Sequence, residues 1–208
     1  MKDTIKMVAA IVIFAVVACA GLAVVYEKTK PAIENNQAKI TADALARLFP
    51  NATGNELVSG GLTNSFDGVK LGDTYKMMQD GKIIGVAVTS SSAGFQDDIK
   101  ALIGVALDGK ITGVDIVQNK DTPGLGANAG KKTYFVNTPS GKQTFFGQFA
   151  GKNAASNLKV EKDGGDVIAI TASTISSRAV AKLVTAAAQS GAEWLASNGA
   201  VVPQEVIE

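Results

Sequence analysis

The chain has 208 residues, enough for one membrane or targeting segment and a single soluble domain with its own core, and a formal net charge of +1 with both signs spread along it. That balance leaves no electrostatic footprint for nucleic acid. With no histidine and a single cysteine, Cys19, the chain alone cannot build a Ser-His-Asp or Cys-His nucleophile system, a Cys/His zinc site, a Cys-ligated iron–sulfur cluster or an internal disulfide, so chemistry done here must come from a cofactor.

Residues 7–26, MVAAIVIFAVVACAGLAVVY, run for twenty positions without a charge, which at about 1.5 Å per residue reaches roughly 30 Å, one hydrocarbon core. A cleaved signal peptide has an apolar stretch of only about 7 to 15 residues, so an anchor over 1–30 and a soluble domain over 31–208 are expected. VVAC, ending at Cys19, also resembles a lipoprotein cleavage box. The chain stays apolar for seven residues beyond it, which favours Cys19 as a small apolar helix residue. Lys2 and Lys6 precede the span while Lys28 and Lys30 follow it, so the positive-inside count is close to a tie. The short N-terminal flank favours export of the downstream domain.

Pro31 can open a juxtamembrane helix whose Ile33, Ile40, Leu45 and Leu48 share a face, ended by Pro50 and NATG. Four strand-like runs follow, at 74–78, 82–90, 99–107 and 110–118, each pair joined at Asp-Gly, and they predict two antiparallel hairpins. The joints repeat as DGKIIGV at 80–86 and DGKITGV at 108–114, which reads as one hairpin unit used twice in the same sheet. The stretch NKDTPGLGANAG, 119–130, combines glycines with a proline. It is either an ordinary surface connection or a loop whose backbone approaches a ligand. Its glycine spacing is not the G-x-G-x-x-G dinucleotide fingerprint. Phe145, Phe146 and Phe149 are expected in the core.

From 176 to 198 apolar residues recur at helical spacing, among them Val180, Leu183, Val184, Ala187 and Leu195, with Gly199 as a stop and 201–208 as a loose tail. Immediately before this helix, TASTISS (171–177) places five hydroxyl residues in seven positions. One would suffice to cap a helix. The surplus, at the end of an apolar strand-like run and followed by Arg178, calls for a function. A helix start offers free N–H groups and the positive end of the macrodipole, an environment that suits a phosphate.

The span, the segment GFQDDIKALIGVALDGKITGVDIVQNKDTPGLGA (94–127) and IAITASTISSRAV (168–180) together resemble the G subunit of the Rnf electron-transport complex. This is an FMN-binding family shared with the C subunit of the sodium-pumping NADH:quinone oxidoreductase. The resemblance implies an α+β fold, in which antiparallel β-hairpins pack against helices behind a single transmembrane helix. It implies one FMN, joined through its phosphate to Thr174 by a separate flavin transferase. Beside such an ester Ser173, Ser176 and Ser177 are candidate contacts and Arg178 a candidate counter-charge, and the loop Thr122, Pro123, Gly124, Leu125 and Gly126 is the candidate wall beside the ring or phosphate, because its backbone can approach closely. It also implies membrane partners within an ion-translocating ferredoxin:NAD oxidoreductase, where the chain is an electron carrier and not a catalyst alone. Two positions depart from the flavinylation signature: Ala172 and Ser173 stand where the family has Gly-Ala, and Ile168 where many members have an acidic residue. A membrane-anchored binding module without redox chemistry and a stand-alone FMN reductase are the competing readings.

Overall fold

The computed structural model describes residues 2–58, 62 and 66–198; the predicted stop at Gly199 and the tail 201–208 lie outside them. One helix, α1 (Lys2–Leu48), carries both the predicted span and the juxtamembrane segment, with Pro31 inside it. Pro31 therefore does not open a second helix. Its ring removes the hydrogen bond to the carbonyl four residues back, at Glu27, and crowds that carbonyl; Glu27 is exposed, so water can take the place of the lost donor. The chain divides into two compact units, 1–42 and 43–208. The first is long and apolar enough to cross a membrane, and its Ile11, Phe14 and Leu22 are exposed.

The second unit is built on a five-stranded antiparallel meander in the order β1-β2-β3-β4-β5, formed by β1 (Gly54–Leu57), β2 (Val69–Gln79), β3 (Lys82–Ala93), β4 (Asp98–Ala106) and β5 (Ile111–Gln118). Both predicted hairpins are present and adjacent, and β1 extends the sheet beyond them. The two Asp-Gly joints nevertheless turn differently. Asp80 and Gly81 both take positive φ (49° and 77°) between the paired Gln79 and Lys82, a two-residue turn whose twist matches the strands. At the second joint only Gly109 is left-handed, and the Lys110 N–H is tied to Asp108 Oδ1 at 3.0 Å. The repeated words thus close loops of different length.

Side chains alternate across β3 and β4. Val86, Val88, Ile103 and Val105 join the core under the C-terminal helix α2 (Thr174–Ser197). Ala87 and Leu102 face the other way, under Ala44, Leu45, Leu48 and Phe49. Alanines 186–188 and Gly191 let α2 lie close to the sheet, where a Cβ on Gly191 would sit 3.1 Å from Val86. Leu183 and Leu195 fill the remaining space, each worth about 1.5–3 kcal/mol of burial. Phe145 and Phe149 are fully buried, edge to face at 5.9 Å between ring centres, while Phe146 packs at the margin. A small hairpin, β6 (Phe135–Thr138) with β7 (Gly141–Thr144), precedes them. The run before the hydroxyl cluster is not a strand: its one ladder contact is a parallel bridge between Val160 and Val167. Ile168 is instead clamped by buried Gln148, whose side chain accepts from the Ile168 N–H (2.8 Å) and donates to its carbonyl (3.1 Å).

Candidate functional site at the start of helix α2

Asp121, only 3% exposed, joins three segments that are distant in sequence. Its Oδ1 accepts from the backbone N–H groups of Phe95 (3.0 Å) and Gln96 (2.8 Å), in the β3–β4 connection, and its Oδ2 accepts from Ser176 Oγ on α2 at 2.6 Å. Burial alone would raise this carboxyl. The donors from Gln96, Ser176, Phe95 and Asp97 outweigh it and leave Asp121 below its ordinary value. Gly126 is buried against the same pair: a Cβ there would meet Ser176 Oγ at 2.3 Å and Asp121 Oδ2 at 2.5 Å. Only glycine lets the loop backbone come this close. Asn119 fastens the loop from within, accepting from the Asp121 N–H (2.9 Å) and donating to the Gly126 carbonyl (2.9 Å).

The five hydroxyls divide into two groups. Ser173, Ser176 and Ser177 are buried and committed inward. Ser173 donates to Ser176 at 3.2 Å; Ser177 donates to the Ser173 carbonyl (2.9 Å) and accepts from the Ile170 N–H (3.0 Å). The hydroxyl hydrogens of Ser176 and Ser177 are therefore spent on Asp121 and Ser173, and neither is left for an ester on Thr174. Thr171 is exposed and Thr174, the first residue of α2, is half-buried. Ser173 occupies the N-cap, yet its side chain caps no N–H, so the first turn of α2 keeps donors for an anion.

Ala172 takes φ 56°, the left-handed region in which a Cβ costs about 1 kcal/mol or more. Glycine in the family signature suits that geometry. Here alanine takes the left-handed conformation and carries the strain. Arg178 does not face Thr174 as a free cation: its guanidinium makes two hydrogen bonds to Asp163, at 2.7 and 2.6 Å. That pairing holds the Asp163 carboxyl below its usual range and raises Arg178. The cation at Thr174 is Lys162, whose Nζ lies 3.5 Å from Oγ1.

In the loop, the Thr122 carbonyl accepts from Leu125 N (3.1 Å) and Ala127 N (3.3 Å), and its hydroxyl reaches Gln96 Oε1 at 3.3 Å. Pro123 and Gly124 are exposed at the loop tip, Gly124 with φ 82°. Phe95, Leu125 and Ile175 each neighbour a residue of the Asp121 junction, and all three present exposed apolar side chains (65%, 39% and 52%). An apolar ring and a phosphate fit this combination of surface, loop and helix start. Asp121 and Lys162 escape a reading of the sequence. The first looks like a turn former ahead of Thr-Pro-Gly, and the second sits in KDGGD, twelve residues from the threonine it approaches.

A glycine loop fastened to the hydroxyl-rich start of a helix behind an antiparallel sheet defines a class, and residues 94–189 match the model of the FMN-binding domain. The chain is 33% identical over 181 residues to the G subunit of the ion-translocating oxidoreductase complex of Methanosarcina acetivorans, covering 86% of this chain and 89% of that one. It is also 33% identical to the G subunit of the proton-translocating ferredoxin:NAD(+) oxidoreductase complex of Clostridium ljungdahlii (81% and 80% covered) and to that of the Na(+)-translocating complex of Acetobacterium woodii (81% and 82%). The chain belongs to this family, the G subunits of Rnf-type ion-translocating oxidoreductase complexes.

Proposed function

We propose that this chain is the electron-carrying subunit of an Rnf-type ferredoxin:NAD oxidoreductase complex and holds one FMN through a phosphoester on Thr174. The observation that carries the reading is the division of the hydroxyls, because Ser173, Ser176 and Ser177 are buried and engaged while Thr174 stands at an uncapped helix start. In forming the ester, Thr174 Oγ gives up its proton and gains a bond to phosphorus as the phosphoanhydride bond of a flavin dinucleotide donor breaks, and the donor's other nucleotide leaves with the proton. The ester oxygens then meet the free N–H groups of the first turn. Bound FMN supplies one- and two-electron transfer. Leu125 and Phe95 shield an apolar ring from water, and Asp121 keeps the loop seated. The names of the relatives from Clostridium and Acetobacterium support ferredoxin and NAD as the two ends of the electron path.

The full chain, co-expressed with a flavin transferase, should give a yellow band that survives denaturation, fluoresces under ultraviolet light and adds the mass of FMN less one water to the peptide containing Thr174. Thr174→Ala should remove all three signals and Thr171→Ala none. A colourless wild-type chain, or fluorescence persisting in Thr174→Ala, overturns the assignment.

α1 anchors the chain in the membrane beside the other subunits of the complex, with the FMN-binding domain on the extracytoplasmic side. The twenty uncharged residues at 7–26 support the anchor. A phosphatase reporter that works only outside the cytoplasm, fused after Glu208, should be active. Activity only from a reporter restricted to the cytoplasm would reverse the orientation.

A further inference from the structure

We infer that Lys162 is the side-chain cation that neutralises the phosphate ester on Thr174, and that Asp163 reserves Arg178 for a structural pair and withholds it from the ester. The inference rests on the reading of Thr174 as the flavin-bearing residue. A phosphate esterified on two sides keeps one acidic oxygen and one negative charge, so a single cation balances it. Two candidates are within reach of the start of α2. Arg178 lies one helical turn beyond Thr174, but both of its bonds to Asp163 are short and in the fork geometry that suits guanidinium and carboxylate. Lys162 has no carboxylate within ion-pair distance among the described residues, and its Nζ already stands 3.5 Å from Thr174 Oγ1.

The placement of Lys162 is built into the backbone. It is the middle residue of a 3-10 turn, Glu161–Asp163, closed by Gly164 in the left-handed region. The turn is held by the Val160–Val167 bridge and by the close packing of Gly165, whose Cβ would meet the Lys159 carbonyl at 2.0 Å. Adjacent residues of one turn thus divide the work: Asp163 holds Arg178, and Lys162 points its ammonium at the ester. In the esterified protein Thr174 Oγ becomes a bridging oxygen, and Lys162 donates to the charged oxygens one bond beyond it.

Amine labelling of the full chain in detergent tests this without altering Lys162. The flavinylated protein and Thr174→Ala are treated with limiting acetic anhydride, and each lysine is read by peptide mass spectrometry. Lys162 should label about threefold more slowly in the flavinylated protein, in keeping with an exposed ion pair, while Lys159 and Lys182 label equally in both. Equal labelling of Lys162 in the two forms overturns the inference. Absence of flavin from the wild-type peptide instead overturns the assignment of Thr174. The 31P resonance of the ester supplies a second readout: it should move in Lys162→Met and return towards the wild-type position in Lys162→Arg. A resonance unmoved in flavinylated Lys162→Met also removes the role.

Discussion

Replacing Asp121 by alanine should lower the unfolding free energy by about 2–4 kcal/mol, because the N–H groups of Phe95 and Gln96 and the hydroxyl of Ser176 all lose their acceptor in a buried place. In urea the midpoint should fall with little change in slope. Asp121→Asn should cost less, since one carbonyl oxygen still serves Phe95 and Gln96 while the amide now faces Ser176. The pH dependence has a defined sign. The folded carboxyl lies below its ordinary value of 3.8, so its stabilisation is complete above that value and is lost as pH falls through the folded one. Wild-type stability should therefore drop in acid below about pH 4, and Asp121→Ala should show a flatter curve there. The same variant frees the 119–130 loop from α2, so covalent FMN should also decline. An Asp121→Ala midpoint equal to wild type would show that the junction is not held by this carboxylate.

The elements that repeat a simple pattern are the ones legible from sequence. The uncharged run in α1, the alternating strands and the 3.6-residue stripe of α2 each carry their periodicity within a few residues of one another. The hydroxyl cluster stands out for another reason: it exceeds what capping needs, and that surplus is what directs the proposal to Thr174. The roles of its neighbours were not legible, because they depend on which way each side chain turns. Ser176 and Ser177 sit where an ester donor is expected, yet each meets a stronger local partner, Asp121 in one case and the Ser173 carbonyl in the other. Arg178 follows the same logic, since a carboxylate fifteen residues upstream captures it. Such competition between polar partners is decided by tertiary placement, and no spacing rule encodes it. The joining of the juxtamembrane segment to the span was hidden because proline reads as a boundary, whereas an exposed helix tolerates the one bond it removes.

Phe49→Ala should cost about 3–5 kcal/mol, the upper range for a core aromatic, because its surroundings cannot close over the gap. The ring lies on the backbone of two paired strands: a Cβ on Gly85 would stand 2.5 Å from Phe49 Cε1, and one on Gly104 would stand 2.9 Å from Cε2. Glycines in β3 and β4 thus make the seat for a residue just past the end of α1, and strands held by ladder bonds cannot sag into the space it leaves. The loss falls on one face only. Ala44, Leu45 and Leu48 share the cluster with Phe49, so the segment 43–53 should become the preferred site of limited proteolysis while α2 stays protected. Gly85→Ala should also destabilise, since its new methyl group meets both the ring and the Val105 carbonyl, each at 2.5 Å. In the double variant the ring clash disappears and the carbonyl clash remains, so the combined cost should be smaller than the sum of the two. Urea titrations of the four proteins measure that coupling directly. Strictly additive costs would mean that Phe49 does not rest on the glycine seat in solution.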